Sequence, residues 1–204
     1  MKIKTLAILG STGSIGRSTL EIAKKTNKFK IVLIIANANY LRIKSQIKFF
    51  NPKIVIINNL KVYLKIKKMN KLKKIIILNN TNNLSKYIQK VDITVSAIPG
   101  IAGLEPTLAF VKLSKKILLA NKESIICGWK LIKNTAIKYN TELVPIDSEH
   151  FSISELTKKH SAEDIEKIYI TASGGPFLKL NKSKFKNIKP KEAIKHPKWK
   201  MGKK

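Results

Sequence analysis

The 204-residue sequence has one cysteine, two arginines and only 12 acidic side chains. The lone thiol, Cys127, excludes an intramolecular disulfide and any zinc site built from several cysteines. It fits a reducing compartment, with Cys127 expected as a small, buried apolar side chain. Arginine reads guanine edges and forks around phosphates, so its scarcity counts against specific nucleic-acid recognition even at a formal net charge of +29. The 41 basic residues are lysines apart from Arg17 and Arg42, and they are spread over the whole length. With isoleucine and asparagine also abundant, that spread reads as the codon bias of an AT-rich genome. Weak, salt-sensitive affinity for polyanions still follows from the charge. Long apolar runs are missing too. Residues 3–9 are too short for a signal-peptide core, and no run approaches the length of about 20 residues that a membrane helix needs. The expectation is a soluble, cytoplasmic protein with no membrane partner.

A hydrophobic content of 44% is ample for a real core, in one or two domains. The first apolar run, residues 3–9, stops at Gly10-Ser11-Thr12-Gly13-Ser14-Ile15-Gly16, and helical periodicity follows through Leu20, Ile22 and Ala23. Strand, glycine turn and helix together are the context of a dinucleotide-binding loop. The first glycine permits the turn, the middle one lets backbone approach a pyrophosphate, and the last lets helix pack close. Phosphate would sit on the free amides of the helix N-terminus. A plain turn-and-cap reading stays open, because the spacing is G-x-x-G-x-x-G.

The second run, 29–36, ends at Asn37-Ala38-Asn39, where NAD-binding units usually place a carboxylate for the ribose 2′-hydroxyl. With none there, and with Arg42 and Lys44 close behind, a 2′-phosphate is tolerated and NADPH is favoured over NADH. The alternative is that these asparagines merely cap a helix. Further strands are expected at 54–57, 74–78, 92–97, 117–120, 142–146 and 168–172, separated by helix-compatible segments. That rhythm predicts an α/β fold with a doubly wound parallel sheet. Residues 61–73 read as a solvated basic helix face and turn, and 79–83 as a polar loop opening another helix. Small residues at 96–103 and the charged pair Lys122-Glu123 fall at strand ends, where such sheets bind ligands. Lys122 and Glu123 either pair with each other on the surface or hold a cofactor or substrate.

Pro145-Ile146-Asp147-Ser148-Glu149-His150 follows a short apolar run, so an extended backbone would carry Asp147 and Glu149 to one face. Converging carboxylates suit Mg²⁺ or Mn²⁺. On spacing alone, the favoured reading is a polar strand end with Asp147 or Ser148 capping the next helix. Beyond it, a lysine-rich segment holding Trp199 and Met201 between Gly-Gly and the chain end reads either as a lid over a site or as a basic tail.

Five motifs in order, Gly10–Gly16, Leu119-Ala120-Asn121-Lys122-Glu123-Ser124, Pro145–His150, Ser173-Gly174-Gly175-Pro176-Phe177 and His196-Pro197-Lys198-Trp199-Lys200-Met201-Gly202, closely resemble those of the 1-deoxy-D-xylulose 5-phosphate reductoisomerase family. The resemblance implies a Rossmann-like NADPH domain over 1–145, followed at 146–204 by the beginning of an α+β catalytic and metal-binding domain. It implies NADPH contacts at Gly10, Thr12, Gly13, Ser14, Ile15, Asn37, Asn39, Asn121, Lys122 and Glu123. Asp147 and Glu149 would ligate Mg²⁺ or Mn²⁺ and, with Lys122, form the catalytic group. Lys122, Ser148, Glu149, Ser173, His196, Trp199 and Met201 would contact the phosphorylated ketose, the last three as a lid. The implied reaction is metal-assisted rearrangement of 1-deoxy-D-xylulose 5-phosphate and reduction by NADPH, in an enzyme that is a homodimer at full length.

The sequence departs from the family pattern at Asn37, where a glycine is commoner, and at Phe151-Ser152-Ile153-Ser154. The family continues for about as long again, and carries there a third metal carboxylate that Glu163, Asp164 and Glu166 do not obviously replace. The expectation is therefore that these residues are the N-terminal part of the enzyme, binding NADPH without turning over alone. Two alternatives stand beside it: a degenerate product that keeps only nucleotide binding, and a lysine-rich nucleic-acid binder, which the missing arginine cluster disfavours.

Overall fold

The computed structural model describes residues 2–69, 75–171, 174–195 and 197. Runs rich in Ile, Val and Leu become strands, since branched side chains suit a pleated, buried surface. In chain order the elements are β1 (Lys4–Leu9), α1 (Ser14–Thr26), β2 (Phe29–Ala36), α2 (Tyr40–Phe50), β3 (Ile54–Ile57), α3 (Leu60–Met69) and β4 (Ile76–Leu78). There follow β5 (Val91–Ser96), α4 (Leu104–Lys112), β6 (Ser114–Leu119), α5 (Lys122–Tyr139), β7 (Glu142–Pro145), α6 (Ser148–Thr157) and the short α7 (Pro190–Ala193).

The seven strands form one sheet in the order β4-β3-β2-β1-β5-β6-β7, with every pairing parallel. Alternation along β1 sends Leu6 and Ile8 to one face and Ala7 and Leu9 to the other. The first face packs on Leu20 of α1, Ile43 and Ile47 of α2 and Ile66 of α3. The second packs on Phe110 of α4 and on Ile132 and Ala136 of α5. Both faces are thus covered, which is why β3 reads as an unbroken apolar run with all four residues buried. From β1 the chain winds outward to β4, then β5 returns to the other side of β1. The doubly wound α/β sheet expected from the sequence is the observed one, and its switch point lies between β1 and β5, where such sheets open a crevice at their carboxyl ends.

Residues Met1–Ser154 form one compact unit and Glu155–Lys204 a second. Within the second, α7 and 3₁₀ turns at Ala162–Asp164, Gly175–Phe177 and Lys182–Asn187 carry the chain, and the Phe177 and Phe185 rings lie 6.4 Å apart.

Cys127, expected to be buried, is exposed on α5, and two expected elements differ. The helix expected after residues 79–83 is only a 3₁₀ turn, Leu84–Lys86, because Asn83 turns left-handed at φ 55° and β5 begins at Val91. The strand expected at 168–172 is absent from its described part. Ile168, Tyr169 and Ile170 are exposed, and no strand among the unit's described residues offers their backbone a ladder. Among the described residues, no helix is long and apolar enough to cross a membrane.

Candidate nucleotide and metal site

The loop after β1 is shaped by two glycines. Gly10 adopts φ +87°, and a Cβ there would lie 2.7 Å from the Ala97 carbonyl oxygen at the end of β5. At Gly16 a Cβ would lie 2.3 Å from the Gly10 carbonyl oxygen, so the first turn of α1 seats directly on the loop. Gly13 is the N-cap of α1 and no side chain caps it. The exposed Ser14 and Ile15 therefore present first-turn amides that a side chain has not taken, the arrangement that attracts phosphate.

Helix α2 holds the same loop from the side. Ser11 Oγ donates to Gln46 Oε1 at 2.7 Å, Gln46 Nε2 donates to the Ser11 carbonyl at 3.0 Å, and Arg42 Nη1 donates to the Thr12 carbonyl at 3.1 Å. The segment from β2 to α2 is exposed at Asn37, Ala38 and Asn39. Asn39 Oδ1 accepts from the Arg42 amide at 3.1 Å, so Asn39 does cap α2, while the exposed Arg42 and Lys44 stand in its first turn and a half. No acidic residue occupies the first turn of α1 or α2.

Across β5, the ends of β6 and β7 frame a cavity of about 370 Å³. Its polar lining is Asn121, Lys122, Asp147 and His150; Ile125, Ile126 and Trp129 supply an apolar wall. Asn121 caps α5, its Oδ1 accepting from the Ser124 amide at 3.0 Å, while its Nδ2 donates to the carbonyls of Ile98 and Gly100. That side chain is committed to tying the β5 loop to α5. Lys122 opens α5 with Glu123 beside it in the first turn, and no described ion pair joins the two.

β7 ends at Pro145 and α6 begins at Ser148, so Asp147 and Glu149 do not share a strand face as the alternation predicted. They bracket a helix N-terminus instead. Asp147 Oδ1 accepts from the His150 amide at 3.1 Å and lies 2.7 Å from His150 Nδ1. Partial burial pushes the Asp147 carboxyl up, but the two His150 hydrogen bonds and the imidazole charge outweigh it, leaving Asp147 below the usual carboxylate range. Ser148 and Glu149 are exposed in the first turn, where a helix favours negative charge. Among the described residues, no group of three or more His, Cys, Asp or Glu is placed to hold a metal. Asp147 and Glu149 are oxygen donors of the kind Mg²⁺ and Mn²⁺ take one or two of from a protein.

The structure thus gathers Gly10 to Ile15, Asn37, Asn39, Asn121, Lys122, Glu123 and Asp147 to Glu149 at the carboxyl ends of neighbouring parallel strands and the turns that follow them. At about 4.8 Å per strand, β1 and β7 stand about 14 Å apart. Ser173, His196, Trp199 and Met201 lie outside the described residues. Sequence reasoning missed Gln46, His150 and Trp129. Trp129 was findable, since Lys122, Ile125, Ile126 and Trp129 fall at i, i+3, i+4 and i+7 of one helix face.

Comparison with known proteins fits this geometry. Residues 6–128 match the family model for 1-deoxy-D-xylulose 5-phosphate reductoisomerase, and residues 143–204 match that for its C-terminal domain. The reductoisomerase of Pelagibacter ubique (strain HTCC1062) is 50% identical over 206 residues, covering 99% of this chain and 53% of that relative. That of Clostridium novyi (strain NT) is 43% identical over 99% of this chain and 54% of its own length. The chain therefore spans about half the length of the curated relatives it matches. Among solved structures, DOX-P reductoisomerase in complex with NADPH, fosmidomycin and magnesium superposes with a TM-score of 0.83 at 34% identity, over 98% of this chain and 52% of that one. The Zymomonas mobilis enzyme in complex with NADPH gives 0.85 at 31% identity, over 95% and 52%. Motif order, sheet topology and site placement converge with these matches, and the chain belongs to the 1-deoxy-D-xylulose 5-phosphate reductoisomerase family.

Proposed function

We propose that this chain supplies the NADPH site and part of the metal and substrate site of an enzyme converting 1-deoxy-D-xylulose 5-phosphate to 2-C-methyl-D-erythritol 4-phosphate. Residues 1–145 are the NADPH domain in this reading and 146–204 the start of the catalytic domain. The observation that carries it is the placement of the uncapped α1 N-terminus, Lys122 and Asp147 along one edge of a single parallel sheet. Complexes of relatives with NADPH and magnesium support the same choice of cofactors.

The fit of each group rests on the chain's own atoms. A side chain at Gly10 would fill the space where the loop meets Ala97, and the free first-turn amides of α1 would receive the pyrophosphate. Arg42 and Lys44, with no carboxylate nearby in the first turn of α2, suit a 2′-phosphate. Gly10, Thr12, Gly13, Ser14, Ile15, Asn37, Asn39, Asn121 and Glu123 would line the rest of the nucleotide. Asp147 and Glu149 would hold Mg²⁺ or Mn²⁺, the low pKa of Asp147 keeping it ionised.

When bound, NADPH supplies the hydride and the cation Lewis acidity toward the oxygens of the hydroxyketone. Lys122, which lines the cavity with its charge unpaired by Glu123, would orient the reacting carbon chain and offset developing negative charge. Ile125, Ile126 and Trp129 would exclude water from that end. Ser148 and Ser173 would anchor the substrate, and His196, Trp199 and Met201 would cover it. A reducing cytoplasmic setting and a homodimer at full length belong to the same proposal.

The test uses the protein isolated from its own cells, followed by NADPH oxidation with 1-deoxy-D-xylulose 5-phosphate and Mg²⁺ and by direct detection of product. Turnover that stops on chelation supports the proposal. NADPH binding without turnover would leave the nucleotide-only alternative, and no NADPH binding would remove both.

A further inference from the structure

Ser11 and Gln46, 35 positions apart in sequence, are both buried, at 0% and 8% exposure. Ser11 is held on three sides. Its amide donates to the Ile35 carbonyl at 2.9 Å, its hydroxyl donates to Gln46 Oε1, and its carbonyl accepts from Gln46 Nε2. A buried amide is tolerated only when bonded, and Gln46 meets that condition at both ends, among the apolar Ile43 and Ile47 of its own helix. Arg42 repeats the pattern one residue further along by holding the Thr12 carbonyl, but it is exposed and open to exchange with water.

The direction of these bonds matters more than their number. In a planar trans peptide, the carbonyl of one residue and the amide of the next point opposite ways. Drawing the Ser11 carbonyl onto α2 therefore turns the Thr12 N–H away from α2. An anion is attracted to such an amide and repelled by a carbonyl in its place. We propose that Gln46 is a positioning residue for the dinucleotide, locking the loop that receives the pyrophosphate onto the helix that receives the adenosine ribose. This inference rests on the NADPH reading above. It makes Asn39, Arg42 and the loop one rigid recognition surface, so that contacts to the ribose and to the pyrophosphate reinforce each other.

The experiment compares the intact enzyme with Gln46→Met, which keeps length and volume and removes both hydrogen bonds. The expected result is a rise of about tenfold in KM and Kd for NADPH, the scale of one or two lost hydrogen bonds, with kcat at saturating NADPH within about twofold. The double variant Ser11→Ala/Gln46→Met removes the stranded hydroxyl but not the stranded Ser11 carbonyl, so its Tm should recover in part while KM stays raised. A KM for Gln46→Met within twofold of the unmodified enzyme overturns the proposal, as does a KM that recovers together with Tm. Where Gln46→Met does not fold, Gln46→Glu keeps the acceptor but sets an oxygen against the Ser11 carbonyl; raised KM supports the lock and unchanged KM overturns it. An unmodified enzyme that binds no NADPH overturns the nucleotide reading itself, and this inference with it.

Discussion

Asp147 and His150 are joined twice through one oxygen: Asp147 Oδ1 accepts from the His150 amide at 3.1 Å and lies 2.7 Å from its Nδ1. With Asp147 ionised, the ring proton belongs on Nδ1. One carboxylate thus caps α6 and, under the proposed function, would also ligate the cation, and the two roles separate on substitution. Asp147→Asn keeps a capping oxygen and loses the charge, whereas Asp147→Ala loses both. Both variants should lower Mn²⁺ affinity at least tenfold, measured by titration of the enzyme. Only Asp147→Ala should also lose about 1 kcal/mol of stability, the usual worth of an N-cap. Unchanged Mn²⁺ affinity in Asp147→Asn would remove Asp147 from the metal site.

Much of this was legible in the sequence, for reasons that can be named. β3, with all four residues buried, shows as an apolar run because it is covered on both faces, and Gly10 and Gly16 show because no other residue fits their backbone space. The strand expected at 168–172 had the right residues, but strand formation depends on a partner that local sequence does not contain. Asp147 and Glu149 stood out by their chemistry; the shared strand face that alternation offered does not form, because a helix begins at Ser148, and Asp147 caps that helix as spacing alone favoured. Gln46 was invisible for the opposite reason. Its partner is 35 residues away, and nothing in α2's own pattern marks it as more than a polar residue on a helix.

Arg42 tests the choice of cofactor. It is exposed, has one hydrogen bond to the Thr12 carbonyl, and stands where neither Asn37 nor Asn39 offers a carboxylate to the ribose. Arg42→Ala should raise the Kd for NADPH by about 10-fold to 100-fold, the range of a charge-assisted phosphate contact, and leave the Kd for NADH within about threefold. The two constants come from fluorescence titrations in the same buffer. Equal losses for both nucleotides would assign Arg42 to holding the loop and not to reading the 2′-phosphate.

Gly10→Ala should be harmful on two independent grounds. The φ of +87° disfavours any L side chain, and the new Cβ would sit 2.7 Å from the Ala97 carbonyl oxygen. Strain of this kind costs about 1–3 kcal/mol, and it falls where β1 meets β5. The expected outcome is a lower Tm together with weaker NADPH binding, read by thermal unfolding with and without nucleotide. A variant as stable as the unmodified protein would mean that the loop accommodates the methyl, and that the close approach to Ala97 is not required.

The opposite ends of the same two strands carry a dense polar tie. Asp92 Oδ2 accepts from the Thr5 amide at 2.9 Å and from Thr5 Oγ1 at 2.8 Å, Asp92's own amide donates to Thr5 Oγ1 at 2.8 Å, and Lys115 Nζ reaches Oδ1 at 2.7 Å. The Lys115 hydrogen bond and then the two from Thr5 hold the Asp92 carboxyl far below its ordinary range, against a smaller effect of burial. A carboxyl depressed on folding adds stability above its unfolded pKa of about 3.9, and that stability fades as pH falls toward the folded value. Asp92→Asn should therefore cost about 1.5–3 kcal/mol at neutral pH, and clearly less at pH 3, in urea unfolding of the two proteins. Added salt should weaken only the Lys115 part of this cost, because Lys115 is 66% exposed and its attraction is open to screening, while the Thr5 hydrogen bonds persist. A cost that is the same at both pH values would show that Asp92 acts through packing alone. By fixing β1 against β5 at their amino ends, this pair sets the register that brings Gly10 against Ala97 at the other end, where the nucleotide loop begins.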